Sequence, residues 1–149
     1  MTIYYVDGDL LESKTEALVN AVNCVGVMGK GIALQFKKKF PRYFSNYVSH
    51  CKDGTIRLGR VMVQKGETHP PIVNFPTKNH WSDKSFLDSI DKGLASLSEA
   101  ITSLDIKSIA IPQLGCGEGG LEWPAVRELI TSRLSHHHGC EIYVYGPMI

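Results

Sequence analysis

No apolar run in these 149 residues approaches the roughly 20 needed to cross a bilayer, and MTIYYVDGDL has no basic stretch ahead of a long apolar one. Neither a membrane span nor a secretory leader is expected, and the chain reads as cytoplasmic. The four cysteines, Cys24, Cys51, Cys116 and Cys140, show no C-x-x-C spacing. That argues against a zinc ribbon or a disulfide framework and predicts free thiols. Charge of one sign is missing as well: 16 Lys and Arg against 15 Asp and Glu leave a net charge of +1, which excludes a polyanion-coating protein but not a local phosphate contact. The nucleotide-binding fingerprints are also absent, because GVMGKG has neither the G-x-G-x-x-G order nor the G-K-[ST] ending. His136, His137 and His138 are consecutive, so their side chains diverge and make a poor tetrahedral set. They read as a surface turn before Gly139, and no metal is expected.

What is present describes one domain over residues 1–149. The chain is 43% hydrophobic and 21% charged, enough for a core and too short for two. No repeat, linker or low-complexity tract interrupts it. Six β-rich runs stand out: TIYYV, ALVNAV, RVMVQ, IVNF, SIAIP and EIYVY. Helical periods lie between them, the alternation of an α/β layered fold. Leu87, Ile90, Leu94, Leu97, Ile101 and Leu104 recur at steps of three and four and mark one face of a long helix. Ile32, Phe36 and Phe40 predict a second helix ended by Pro41, and Val126, Ile130 and Leu134 a third starting near Trp123 and Pro124. FPRYFSNYVSHC predicts a shorter one, stopped by the turn KDG.

Three unusual loops each follow the end of a predicted strand. ALVNAV runs into NCVGVMGKG, IVNF into PTKNHW, and SIAIP into QLGCGEGGLEW. In open α/β sheets ligands bind at the carboxyl ends of strands. Two of the loops are rich in glycine and lead into helices, so backbone N–H groups can approach phosphate oxygens closely. The third places Lys78 and His80 where an ordinary loop would serve with Gly, Asn or Ser.

These stretches resemble one family. GDLLESKTEALVNAVNCVGVMGKGIALQFKKKFP is similar to the opening of a macrodomain, with its G-D-[IL] turn, apolar strand, N-A-[VA]-N segment and glycine loop entering a helix. NFPTKNHW and IPQLGCGEGGLEW continue the likeness in family order over nearly the whole chain. The resemblance implies a three-layer α/β/α sandwich on a central mixed sheet, with ADP-ribose held in a crest cleft. The loops look most like the branch of DNA ADP-ribosyl glycohydrolase antitoxins of the DarG type, related to the terminal ADP-ribose glycohydrolases. For that branch the implied reaction removes ADP-ribose from thymidine in single-stranded DNA, reversing a DarT-type toxin, without a cofactor.

The resemblance also implies roles for particular residues. Asp9 stands where the family's aspartate accepts the adenine amino group, with Leu10 beside it as a backbone contact; a carboxylate only accepts hydrogen bonds, and that amino group only donates them. Asn23 is placed near the distal ribose, whereas Asn20 braces the loop. Gly29, Lys30 and Gly31 match the first phosphate loop, and Gly115, Cys116, Gly117, Glu118 and Gly119 the second. Lys78 matches the catalytic lysine near the anomeric carbon of the distal ribose, acting as a charge, a proton donor or a nucleophile. In the terminal glycohydrolases an aspartate inside the second loop assists that lysine; Gly119 stands here in its place. That counts against a glutamate-linked ester and in favour of an N-glycosidic bond to a base, with Glu118 as a helper or a solvated loop residue. His80 and Trp81 would meet DNA at the cleft rim, where His80 either orients a substrate phosphate or caps its turn and Trp81 either stacks on a base or packs under its loop. FKKKFPR offers phosphate contacts or a merely solvated face. A module that binds ADP-ribose without turnover is the other class of function, and in it Lys78 would be incidental.

Overall fold

A computed structural model describes residues 2–148. Six strands form one sheet: β1 (Ile3–Val6), β2 (Ala17–Val22), β3 (Met62–Gln64), β4 (Ile72–Pro76), β5 (Ser108–Pro112) and β6 (Glu141–Tyr145). The spatial order is β1-β6-β5-β2-β4-β3. All neighbours are parallel except β3, which runs antiparallel to β4 at the edge. The sheet is therefore mixed, as expected, and the carboxyl ends of five strands share one edge.

The sheet's two faces are covered separately, which makes three layers. Ala17, Val19, Val73 and Phe75 point to one side, where they pack with Ile90, Leu94, Leu97 and Ile101 of α3 (Leu87–Ser103) and Val126, Ile130 and Leu134 of α4 (Trp123–Leu134). Leu18, Val22 and Ile72 point the other way, onto Phe36 of α1 (Gly31–Lys39) and Tyr43 and Tyr47 of α2 (Pro41–Lys52). The alternation along β2 and β4 is the period of two that sends successive side chains to opposite faces. Each fully buried Leu, Ile or Val on these faces contributes about 1.5–3 kcal/mol.

The periodicities locate α3 and α4 well, but four details differ from the sequence expectation. The α3 stripe is buried from Ile90 to Ile101, while its ends, Leu87 and Leu104, are exposed because the sheet does not reach them. The helix after Pro41 has 12 residues against nine in α1, so it is the longer and not the shorter of the two. Pro41 separates them: lacking an N–H, it sits at the first position of α2, while the N–H of Phe40 closes α1 onto the Phe36 carbonyl at 2.8 Å. A 3-10 turn over Leu10–Glu12, not anticipated from sequence, is capped by Asp9, whose Oδ1 accepts the Leu11 N–H at 3.1 Å. The histidine run does form a turn, yet His137 is buried and its Nε2 lies 2.7 Å from Ser98 Oγ on α3. Among the described residues no helix is long and apolar enough to cross a membrane.

Candidate active site

The strand ends build the site. A cleft of about 1110 Å³ opens over the carboxyl edge of the sheet. All three unusual loops line it, together with the turn after β1 and the end of β6.

The first loop leaves β2 at Val22 and enters α1. Asn23 is 7% exposed, and its own loop occupies its amide: Oδ1 accepts from Val25 N, Val27 N and Tyr47 OH, while Nδ2 donates to the Val27 carbonyl at 2.8 Å. It lines the cleft with one N–H uncommitted, as much a brace as a ribose contact. Asn20, read from sequence as a brace, is fully buried and donates to Tyr43 OH at 2.9 Å. Gly31 has φ +58, a left-handed backbone natural to glycine, and α1 begins there without a side-chain cap. Its first residues, Gly31, Ile32 and Ala33, line the cleft. The first N–H groups of a helix have no intrahelical partner and lie at the positive end of its dipole, an arrangement that can take an anion.

The second loop runs from Gln113 to Glu122. Gly115 is buried with φ +73, and its carbonyl accepts the Leu121 N–H at 2.9 Å. Gly117 is exposed, and nothing lies within 4 Å of where its Cβ would stand, so backbone meets the cleft directly. Gly119 is the opposite case. A Cβ there would stand 2.5 Å from the Gly115 carbonyl oxygen and against Ser85 Oγ, so no side chain fits. Cys116, expected at the ligand, does not line the cleft; its thiol faces the Leu114 carbonyl at 3.5 Å. The turn from Gln113 to Cys116 points that side chain back into the fold.

Between these two loops stands the one that carries Lys78, and β2 holds its backbone from both sides. Thr77 N–H donates to the Val22 carbonyl at 2.9 Å and Cys24 N–H to the Asn79 carbonyl at 2.8 Å, extending the β2–β4 pairing past the sheet. Lys78 is thereby presented to the cleft, half-buried, with no carboxylate within salt-bridge distance among the described residues. Burial, and secondarily Cys51, pushes the nearby Cys24 thiol up to about 11, so it is not a thiolate at neutral pH. Trp81 is 55% exposed and lines the cleft, so it does not pack under the loop. His80 lies behind it: its ring meets Trp81 at 4.9 Å and its Nδ1 meets Ser82 Oγ at 2.8 Å, and it does not line the cleft. It supports the tryptophan and is not itself displayed.

At the far end Asp9 is exposed, with Oδ2 available beyond its capping bond, and Leu10 lies buried beside it. Lys30, Gly29 and Glu118 also line the cleft. Sequence reading passed over Thr77, Gln113 and Tyr145, each at or just past a strand's carboxyl end, where the strand-end rule points. It also passed over Gln35, one turn into α1, and over Asp83 and Lys84 beyond the tryptophan. Among the described residues no group of three or more potential metal ligands comes together. Of the basic run, Lys39 donates to the Leu11 carbonyl and Lys37 lies over the Phe44 ring at 4.5 Å. None of Lys37, Lys38 or Lys39 lines the cleft.

The Macro domain family model matches residues 19–130. The chain belongs to the macrodomain family. It is 47% identical, over 97% of its length, to the DNA ADP-ribosyl glycohydrolase of Thermus aquaticus, of which it covers 41%. The solved macrodomain of Mycobacterium tuberculosis DarG superposes with a TM-score of 0.93 at 47% identity, over 97% of both chains. Thermosipho africanus DarTG, solved in complex with ADP-ribose, superposes with a TM-score of 0.91 at 34% identity over 98% of this macrodomain and 42% of that chain. This macrodomain thus spans about two-fifths of the length of the curated DNA ADP-ribosyl glycohydrolases it matches.

Proposed function

We propose that residues 1–149 form one macrodomain that hydrolyses the bond between ADP-ribose and thymidine in single-stranded DNA, undoing the work of a DarT-type toxin. The observation that carries this reading is Lys78: a half-buried lysine with no carboxylate within salt-bridge distance among the described residues, presented to the cleft by a loop hydrogen-bonded on both sides of it. The names of the relatives that match nearly the whole chain, and the ADP-ribose bound by the Thermosipho africanus protein, support it. A bacterial DNA substrate, as in the relatives, goes with a cytoplasmic site of action.

Along the cleft, Asp9 Oδ2 receives the adenine amino group. The α1 N-terminus and the exposed backbone at Gly117 flank the pyrophosphate, and the distal ribose reaches Lys78. Breaking the C1″–N bond leaves its electron pair on the base nitrogen. The Lys78 ammonium gives that nitrogen its proton, water adds to C1″, and the proton lost by the water restores the ammonium. Unmodified thymidine and ADP-ribose leave. Alternatively the neutral amine attacks C1″ as the C1″–N bond breaks, the base nitrogen takes a proton from the resulting ammonium, and water then cleaves the C1″–Nζ bond to release ADP-ribose and the amine. Two opposed carboxylates are not what this cleft is read to use, and a carboxylate-assisted lysine would need an acid beside Lys78. The second glycine loop cannot supply it at position 119, where the Gly115 carbonyl and Ser85 fill the space. That steric fact disfavours a protein glutamate ester as substrate.

The test compares an oligonucleotide bearing ADP-ribosylated thymidine with a glutamate-ADP-ribosylated protein, using the wild type and Lys78→Ala. ADP-ribose should be released from DNA, and Lys78→Ala should lower that rate at least about 100-fold while retaining ADP-ribose affinity. Release indifferent to Lys78→Ala refutes the mechanism; binding without release from either substrate makes the chain a binding module.

A further inference from the structure

Beyond the ligand's own seat, the loop that carries Lys78 displays a second pair of residues for which ADP-ribose gives no reason. Trp81 stands 55% exposed at the cleft, the most exposed aromatic of the domain after Phe86. Three residues on, Lys84 is exposed and lines the same cleft, and no carboxylate among the described residues lies within salt-bridge distance of it. The neighbouring Asp83 carboxylate is engaged in its own turn, accepting the His80 N–H at 2.9 Å.

The position of Lys84 is set by tertiary contacts. The next residue, Ser85, is buried and donates its N–H to the Gly119 carbonyl at 3.0 Å, which ties this end of the loop to the second glycine loop. The Lys84 stem then lies along Gly120, with Nζ 3.8 Å from where a Cβ on that glycine would stand. Gly120 is outside the cleft lining, whereas Gly115, Gly117 and Gly119 are within it. The ammonium is therefore at the rim, while the pyrophosphate seat is formed by backbone deeper in.

Resting on the proposed function, we propose that Lys84 is a specificity-determining residue that receives a DNA backbone phosphate next to the modified nucleotide, while Trp81 stacks on an adjacent base. A cation beside an aromatic platform is the arrangement that grips single-stranded nucleic acid without reading its sequence. It is Lys84 that would favour DNA over the same ADP-ribose on a smaller carrier.

The test uses wild type, Lys84→Gln and Lys84→Arg on two substrates: an oligonucleotide carrying ADP-ribosylated thymidine, and the ADP-ribosylated nucleoside, which has no phosphodiester. Lys84→Gln should raise KM for the oligonucleotide and leave the nucleoside unchanged, and Lys84→Arg should restore it. Losing one phosphate contact on a single strand lowers the salt slope by about 0.7, so the affinity lost between about 50 and 200 mM salt shrinks about 2.5-fold. Equal loss on both substrates assigns Lys84 to the ADP-ribose pyrophosphate and overturns the proposal, as does an unchanged oligonucleotide KM. A wild type that binds ADP-ribose but cleaves neither substrate removes the proposed function. The affinity of the uncleaved oligonucleotide then decides Lys84 alone: a salt slope unaltered by Lys84→Gln refutes it.

Discussion

Gly119→Ala tests whether the second glycine loop is closed to side chains. The backbone at Gly119 is not in the left-handed region, so alanine meets no conformational penalty and the whole effect is one of space. The new methyl would stand 2.5 Å from the Gly115 carbonyl oxygen and 2.9 Å from Ser85 Cβ. Ser85 Oγ has no hydrogen-bond partner, so rotating the hydroxyl away loses no bond, but the carbonyl and Cβ remain. Relief requires the loop to open, which strains Leu121 N–H to Gly115 O and Ser85 N–H to Gly119 O. Two such bonds at about 1 kcal/mol each, with overpacking of about 1–3 kcal/mol, give a cost of about 3–5 kcal/mol, less whatever local opening relieves. Because the loop lines the cleft, ADP-ribose affinity measured by calorimetry should fall at least tenfold, about 1.4 kcal/mol, and the denaturant midpoint should drop. Gly119→Ala/Ser85→Gly should recover only part, since the carbonyl contact persists. An alanine variant with wild-type affinity and midpoint refutes both the packing account and the steric case against an acid at position 119.

Two predictions concern stability. Tyr43 OH accepts from Asn20 Nδ2 at 2.9 Å and donates to Asn74 Oδ1 at 2.5 Å, joining β2 and β4 below the cleft. Tyr43→Phe strands both buried amides at about 1–2 kcal/mol each, so thermal unfolding should show Tm lower by about 5–15 °C; a shift under about 2 °C contradicts this. Burial, then His136, holds the His137 pKa below its ordinary 6.5. A lowered histidine pKa means the fold favours the neutral ring, so this stability is complete above about 6.5, the unfolded value, and is lost as pH falls through the folded one. Urea midpoints should therefore decline as pH falls below 6.5, and His137→Gln should flatten that decline; parallel curves for the two proteins refute it.

Much of this protein was legible in its sequence because the signals are local. The β-rich runs and the three-four stripe put the strands and α3 where they stand, and strand-end placement collected the three loops that line the cleft. The same local rules ranked α2 below α1, since they register Pro41 as a stop without showing how far Tyr43 and Tyr47 are buried against the sheet. They also could not assign Asn23, whose amide is occupied by Val25, Val27 and Tyr47 from its own loop and a helix 24 residues on.

By itself the sequence determined an α/β layered fold with a lysine-bearing loop between two glycine loops, for these follow from the alternation and order of its runs along the chain. Only the tertiary structure decided that Trp81 is displayed while His80 supports it, that Cys116 turns away, that Gly119 has no room for a side chain, and that Lys84 stands at the rim. Each of these depends on which atoms of distant segments occupy the neighbouring space, and close packing fixes that only when β2, β4 and the two loops are brought together.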